Sequence, residues 1–152
     1  MSAGPPQAEA GGILTIDLAA IAANYRALAR RVLPAECTAV VKADGYGCGI
    51  DQVTASLASA GCKTFFVAHL AEARRVRALA PDATIYVLNG FSTGTGPAFA
   101  EIAAQPVINS AVELAEWDQF VALSNWRGGF ALHVDTGMNR LEIGRASCRE
   151  RV

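Results

Sequence analysis

The chain has 152 residues, of which 52% are hydrophobic and 18% are charged, and its net charge is −1. Such a chain is globular in composition and long enough to bury one core. The near-neutral charge and the lack of a basic block argue against nucleic acid or an anionic membrane surface as partner. No apolar run reaches the length of a membrane span, and the N-terminus lacks the charged start and apolar segment of a signal peptide. We therefore expect a cytoplasmic protein that acts on a small molecule.

The cysteines give no sign of a metal site or a disulfide framework. No CxxC pair occurs among them, and in a reducing compartment scattered cysteines are typically free thiols. Zinc sites need closely spaced ligand pairs, so the spacing predicts no metal site. The four positions are Cys37, Cys48, Cys62 and Cys148.

The N-terminal segment starts with a polar, glycine-rich tail. We expect residues 1–11 to be disordered, and the sequence GILTI at Gly12–Ile16 predicts a short strand. Asp17 is a helix-capping residue type, and the apolar positions that follow it recur at helical spacing. Pro34 ends this helix.

A strand followed by a helix is then repeated along the chain. The helices are predicted over 51–60, 70–80 and 97–104, and a fourth starts at Ser110, which forms a capping-box pattern with Glu113. The strands are apolar throughout rather than alternating, as in a parallel sheet that is covered on both faces. The five strands are Cys37–Lys42, Thr64–Ala68, Thr84–Leu88, Pro106–Ile108 and Phe130–Val134.

A polar residue follows each of these strands. Parallel α/β folds place their chemistry at the carboxyl ends of the strands, so the five residues predict one polar rim. Any one of them alone fits a purely structural role at least as well, because strands commonly end in polar residues. The residues are Lys42, His69, Asn89, Asn109 and Asp135.

The stretch AVVKADGYGCGI, residues 39–50, carries the strongest chemical signal. Lys42 leaves an apolar strand, so its amine is solvated, paired with an anion, or desolvated until it can act as a nucleophile or base. The glycines that follow allow a tight turn and the close approach of a ligand, and Tyr46 lies between them. The spacing matches neither a phosphate loop nor a dinucleotide fingerprint. A Schiff-base lysine and a solvated charge at a strand end both remain open on these residues alone.

Three segments resemble the alanine racemases. VVKADGYGCG is similar to the family's pyridoxal-phosphate lysine motif, commonly VVKANAYGHG, and HVDTGMNRL at His133–Leu141 is similar to its second signature, DTGMxRLG. LTIDLAAIAANYRAL near the start resembles the family's first strand and helix. The matches occur in the family's order and cover most of residues 13–141.

The resemblance implies a fold and an activity. The fold class is α/β: an incomplete TIM-type (β/α)8 barrel with about five parallel strands, in which residues 12–141 form the N-terminal part of the cofactor-binding domain. A C-terminal β domain, which the family also has, is missing from the chain. The implied activity is the pyridoxal-5'-phosphate-dependent racemisation of L-alanine to D-alanine by a homodimer.

The resemblance also assigns roles to three residues. Lys42 is implied as the Schiff-base lysine and as the base on the D-alanine side, and Tyr46 as a cofactor contact near the phosphate. Arg140 is implied to hold the phenolic oxygen of the cofactor and to lie near the substrate carboxylate, which suits a cationic fork. The family's second base is a tyrosine from the partner subunit that lies beyond residue 152. We therefore expect residues 1–152 alone to be inactive.

Several positions depart from the family's pattern. Cys48 stands where histidine is usual, and Asp44-Gly45 where Asn-Ala is frequent. His133 stands where many members have a lysine that is modified to a carbamate, which imidazole cannot form. Residues 142–152 have no apolar period and resemble the in-frame translation of a common sequencing adapter, so we expect a non-native tail there.

Other functions compete with alanine racemisation. A non-catalytic pyridoxal-phosphate-binding barrel needs the lysine but no second base, and a racemase for another small amino acid would carry the same motifs. Asp135-Thr136-Gly137 also matches the signature of aspartic proteases, which predicts an all-β protein. The alanine-rich helical segments between the strands argue against that third interpretation.

Overall fold

The computed structural model describes residues 7–144. In this part of the chain the helices are α1 (Leu18–Val32), α2 (Lys42–Tyr46), α3 (Ile50–Ser59), α4 (Leu70–Leu79), α5 (Gly96–Glu101) and α6 (Ala111–Ser124). The strands are β1 (Ala39–Val40), β2 (Thr64–Val67), β3 (Thr84–Val87), β4 (Gln105–Ile108) and β5 (Ala131–Leu132). A short 3-10 helix at Gln7–Glu9 precedes them.

The five strands form one parallel sheet in the order in which they occur along the chain. In register, Phe65 of β2 lies between Ala39 of β1 and Ile85 of β3. Each new strand is added at the same edge, whereas in a doubly wound sheet the order reverses at a switch point. This winding is that of a (β/α) barrel, and it confirms the predicted parallel α/β fold with five strands.

The main core lies on one face of the sheet, beneath the helices. Phe65, Val67 and Ile85 are completely buried on that face. Phe66 and Tyr86, which point to the other face, are only partly buried, so the cover on both faces that continuous apolar runs predict is incomplete within residues 7–144.

Trp117 of α6 is also buried, at 1% exposure, and its ring meets that of Phe91 edge-on with 5.2 Å between centroids. Aromatic rings favour this edge-to-face arrangement over a face-to-face stack. The helices thus cover one face of the sheet, and the ends of the strands are the places where functional side chains can lie.

Two predicted helix starts are confirmed by their capping hydrogen bonds. The Asp17 side chain accepts from the Ala20 backbone N–H at 2.9 Å, and the Ser110 hydroxyl accepts from that of Glu113 at 3.1 Å. Each satisfies an amide that the first turn of a helix leaves unpaired. None of the helices within residues 7–144 has the length and hydropathy of a membrane span.

The predicted strand at Gly12–Ile16 is wrong. These residues adopt no regular structure and pair with no strand within residues 7–144, and Ile13 and Leu14 are 62% and 79% exposed. Strand propensity is realised only where a neighbouring strand accepts the backbone hydrogen bonds. β1 has one unpaired edge in the described sheet, but Gly12–Ile16 does not pair with it, so the apolar pattern alone does not make this segment a strand.

The C-terminal end of the described chain lies against β5. Ile143 pairs with Val134 in an isolated parallel bridge, and its N–H donates to the His133 carbonyl at 2.9 Å. Residues 1–6 and 145–152 lie outside the described part, and so do Cys148 and most of the predicted tail. The domain boundaries placed after residues 11 and 141 stay predictions.

Candidate active site

The carboxyl ends of all five strands lie at one edge of the sheet, because every strand pair is parallel. The polar residues predicted to form a rim follow the strands within three positions. This edge is where barrels of this type carry their active sites. The residues are Lys42, His69, Asn89, Asn109 and Asp135.

Lys42 lies at this rim directly after Val41, which is buried, and is itself half-buried. Within residues 7–144 no carboxylate lies within ion-pair distance of its Nζ atom. Of the possible environments for this lysine, pairing with an anion is therefore not the one observed. A primary amine at the rim that no described carboxylate pairs with can react with an electrophile once it has lost its proton.

The segment after Lys42, which belongs to the element α2, is a left-handed helical turn rather than a right-handed α-helix. Ala43, Asp44, Gly45 and Tyr46 have φ angles of 53°, 55°, 64° and 55°. The turn is closed by bonds of helical spacing: the Gly45 N–H donates to the Val41 carbonyl at 2.9 Å, and that of Gly47 to the Ala43 carbonyl at 3.0 Å. A left-handed conformation costs a non-glycine residue roughly 1–2 kcal/mol. Each of the three non-glycine residues of the turn has this cost, so other contacts must stabilise the turn.

Gly45 relaxes this turn without being sterically required. A Cβ atom at this position would lie 3.4 Å from the Ile50 nitrogen, which is an ordinary van der Waals contact. The alanine that is frequent in the resembling motif would therefore fit. Glycine lowers the backbone strain at φ 64°, so this departure from the motif makes the turn easier to form.

Glu72 of α4 holds the start of the turn, and sequence reasoning missed it. Its side chain is buried, at 8% residue exposure, and its two oxygens accept from two different backbone segments. Oε1 accepts from the Ala43 N–H at 2.7 Å, and Oε2 from the Ala68 N–H at 2.8 Å. The carboxylate thus ties the turn after β1 to the end of β2. His69 Nδ1 lies 3.5 Å from the same Oε2 atom.

A second contact from α4 reaches the turn through Asp44. Asp44 Oδ1 accepts from the Ile50 N–H at 3.1 Å and from Arg75 Nη1 at 3.1 Å. Arg75 Nε also donates to Asp51 Oδ1 at 2.9 Å, and this hydrogen bond lowers the pKa of the Asp51 carboxyl. The turn is thereby joined to the first turn of α3 and to α4. All three charged side chains are largely exposed, so this network contributes less than the buried Glu72 contact.

Tyr46 and Arg140 are separated in the described structure. Tyr46 shares the turn of Lys42 and is 63% exposed. Arg140 follows β5 at the other edge of the sheet, where its backbone N–H donates to Glu142 Oε2 at 2.6 Å. Within residues 7–144 no hydrogen bond or ion pair joins Lys42, Tyr46 and Arg140 to one another. The structure therefore brings two of the three predicted site residues together.

Asn109 and His133 link the last three strands. Asn109 Nδ2 donates to the carbonyls of Leu88 at 3.1 Å and Val107 at 2.9 Å, which fixes the orientation of the amide. Its Oδ1 atom can only accept, so His133 Nδ1, 2.9 Å away, carries the proton. His133 Nε2 lies 3.3 Å from Glu142 Oε1. His133 is thus held in place by the amide of Asn109.

Asp135 has a structural role in the described loop. Its Oδ1 atom accepts from the Gly137 N–H at 2.8 Å and from the Asn139 N–H at 3.1 Å, as short Asx-type turns do. The parallel sheet with its covering helices contradicts the all-β fold that an aspartic protease requires. The protease interpretation of Asp135-Thr136-Gly137 is therefore wrong.

Comparisons with known proteins agree on one family. The sequence model of the family described as "Alanine racemase, N-terminal domain" matches residues 16–146. The chain is 57% identical over 136 residues to an alanine racemase of Methylobacterium nodulans, covering 90% of this chain and 37% of that protein. It is 48% identical over 135 residues to one of Brucella ovis, covering 88% of this chain and 34% of that protein.

A solved structure gives the same answer for the fold. The alanine racemase of Bartonella henselae with covalently bound pyridoxal phosphate superposes with a TM-score of 0.84 and 38% identity, covering 89% of this chain and 40% of that one. The chain thus spans between about a third and two fifths of the proteins that it matches. With a family match over residues 16–146 and a barrel segment that superposes on a solved member, the chain belongs to the alanine racemase family.

Proposed function

We propose that the chain is the N-terminal, cofactor-binding part of a pyridoxal-phosphate-dependent alanine racemase, which interconverts L-alanine and D-alanine. The observation that carries the proposal is the position of Lys42 at the carboxyl-end rim of a barrel segment of this family, where no carboxylate of residues 7–144 pairs with its amine. A similar solved structure is described as an alanine racemase with covalently bound pyridoxal phosphate, which supports the choice of cofactor.

The residues present fit this cofactor. Its aldehyde bonds to a primary amine, and Lys42 offers one without a competing carboxylate in the described chain. The exposed hydroxyl of Tyr46 lies in the same turn and can donate to the phosphate. When bound, pyridoxal phosphate supplies an electron sink that acidifies the α-hydrogen of an amino acid.

Each proposed role uses the ordinary chemistry of the side chain. Lys42 Nζ would hold the cofactor and, as a free amine, would exchange a proton on the D-alanine side. The Arg140 guanidinium would bind the phenolic oxygen of the cofactor and the substrate carboxylate, since it is always charged and donates in a fixed fork. Arg140 lies at the opposite sheet edge from Lys42, so this role requires the barrel to close.

The attachment site can be tested directly, because Lys42 and Lys63 are the chain's two lysines. The test uses a fusion protein in which residues 1–141 are followed by the C-terminal part of the Methylobacterium nodulans protein. We call this fusion protein the completed enzyme. Reduction with borohydride in the presence of pyridoxal phosphate is expected to label the Lys42 peptide. Lys63, which precedes β2 at the other end of the sheet, is the internal control. Peptide mass mapping that finds the label on Lys63, or equally on both, would overturn the assignment of Lys42.

The chain alone is expected to lack racemase activity. A lysine on one face of the substrate can remove or return a proton only on that face, and the second base is proposed to come from the C-terminal domain of a partner subunit. We expect the completed enzyme to racemise alanine as a homodimer, while purified residues 1–152 show no turnover above the buffer rate. A coupled assay for D-alanine measures both, and turnover by the chain alone would contradict the two-base proposal.

A further inference from the structure

We propose that Glu72 is a positioning residue for Lys42, acting through the backbone of the left-handed turn. This inference rests on the proposed function, in which Lys42 binds the cofactor. Glu72 touches neither the Lys42 side chain nor any reacting atom in the described structure. Its carboxylate accepts from the N–H of Ala43, the residue that follows Lys42 in the chain.

The contact lies where the chain changes conformation. The backbone is right-handed or extended up to Val41 and becomes left-handed at Ala43, with φ 53°. The Ala43 N–H has no backbone acceptor in the described chain, and Glu72 Oε1 at 2.7 Å supplies one. Without an acceptor, a partly buried amide and a strained residue would together favour a different path for the turn. The direction in which the Lys42 side chain leaves the backbone would then change.

The carboxylate also sets where the turn lies relative to the sheet. Glu72 Oε2 accepts from the Ala68 N–H at 2.8 Å, at the end of β2, while Oε1 serves the turn after β1. Both oxygens are therefore used as acceptors, one for each strand end. An amide side chain has a single acceptor oxygen, so glutamine can keep only one of the two bonds.

Glu113 makes the corresponding contact two strands further along the sheet. Its Oε2 atom accepts from the Asn109 N–H at 3.0 Å, after β4, and from the Phe91 N–H at 3.3 Å, after β3. It thus ties two neighbouring strand ends as Glu72 does, from the first turn of the helix that follows the second strand. No hydrogen bond or ion pair of Glu113 in the described chain reaches the Lys42 turn. Glu113 is the matched control for a purely structural effect.

The test uses the completed enzyme and measures how fast pyridoxal phosphate with borohydride labels Lys42 relative to Lys63. Glu72→Ala is expected to lower this ratio about tenfold, because a displaced reactive group loses rate steeply. Both Glu72→Ala and Glu113→Ala are expected to lower the melting temperature. Glu113→Ala is expected to leave the labelling ratio within about twofold of that of the unchanged enzyme, since distant sites act independently. Glu72→Gln, which keeps one acceptor, is expected to fall between Glu72→Ala and the unchanged enzyme.

The outcomes separate this inference from the proposed function. An unchanged ratio in both Glu72 variants, or an equal fall in Glu113→Ala, would overturn the positioning role while Lys42 labelling in the unchanged enzyme still stands. Preferential labelling of Lys63 in the unchanged enzyme would remove the proposed function itself. If Glu72→Ala is insoluble, Glu72→Gln decides by the same ratio, with Glu113→Ala as its control, because Glu113 accepts both of its bonds on Oε2 and glutamine there could keep them.

Discussion

Replacing Lys42 by alanine is expected to abolish alanine racemisation by the completed enzyme and to leave its fold intact. The variant loses the covalent attachment point of the cofactor and one of the two proposed bases, and each loss alone reduces turnover by a factor of about a hundred or more. The fold should persist, because Lys42 is half-buried and its removal leaves no buried carboxylate unpaired in the described chain.

Turnover of L- and D-alanine, circular dichroism and cofactor absorbance test this expectation together. Lys63→Ala is the control, since Lys63 is exposed and lies far from the rim. A Lys42→Ala protein that retains more than about a tenth of the rate would contradict a role in covalent catalysis. A variant that loses its helical signal would show instead that Lys42 stabilises the fold.

Replacing Arg77 by alanine is expected to cause a large loss of stability, at the opposite end of the barrel segment. Arg77 Nη1 donates to the carbonyls of Pro81 at 2.6 Å and Ala83 at 2.8 Å, and Nε donates to that of Ile102 at 2.8 Å. A further bond from Nη2 reaches the Ala103 carbonyl at 3.0 Å. Partial burial lowers the pKa of Arg77 from its ordinary value, so the guanidinium is charged in a poorly hydrated place.

The alanine variant leaves several carbonyls of the loop after α4 and the end of α5 without this donor. An unsatisfied buried acceptor costs about 1–3 kcal/mol. Because water can reach some of these carbonyls in the variant, we expect the free energy of unfolding to fall by about 2–4 kcal/mol in total. Urea denaturation of the completed enzyme measures the change in free energy of unfolding. Arg74→Ala is the control, because Arg74 is exposed and, within residues 7–144, its side chain bonds only to Glu101. Equal changes in the free energy of unfolding for the two variants would contradict the stabilising role of the Arg77 hydrogen bonds.

The sequence predicted the sheet because short apolar runs alternate with helical segments, although only the face beneath the helices is well buried in β2 and β3. It predicted the position of Lys42 because parallel strands bring their carboxyl ends to one rim. The prediction of a strand at Gly12–Ile16 failed because β-strand propensity does not show whether another strand pairs with the segment. The roles of Tyr46 and Arg140 rest on resemblance alone, as no described contact joins them to Lys42.

The left-handed turn and Glu72 could not be expected from residue preferences. Ala43 and Tyr46 disfavour positive φ, and a carboxylate is rarely buried, so both features run against the average behaviour of their residue types. A positional signal nevertheless exists. Glu72 follows the last residue of β2, Val67, by five positions, and Glu113 follows the last residue of β4, Ile108, by the same number. A search for a carboxylate at this distance after apolar strands would have found both residues.

The winding order of the sheet has a thermodynamic consequence. Lys42 follows the first strand and Arg140 the last, so the two can face one ligand only when further strands fill the gap between these two sheet edges and close the barrel. A ligand that is held from both edges binds the closed barrel and has little affinity for the open sheet. Its binding free energy is then added to the stability of the closed form, in proportion to the logarithm of the ligand concentration. With the roles proposed for Lys42 and Arg140, cofactor binding and barrel closure would therefore be linked equilibria.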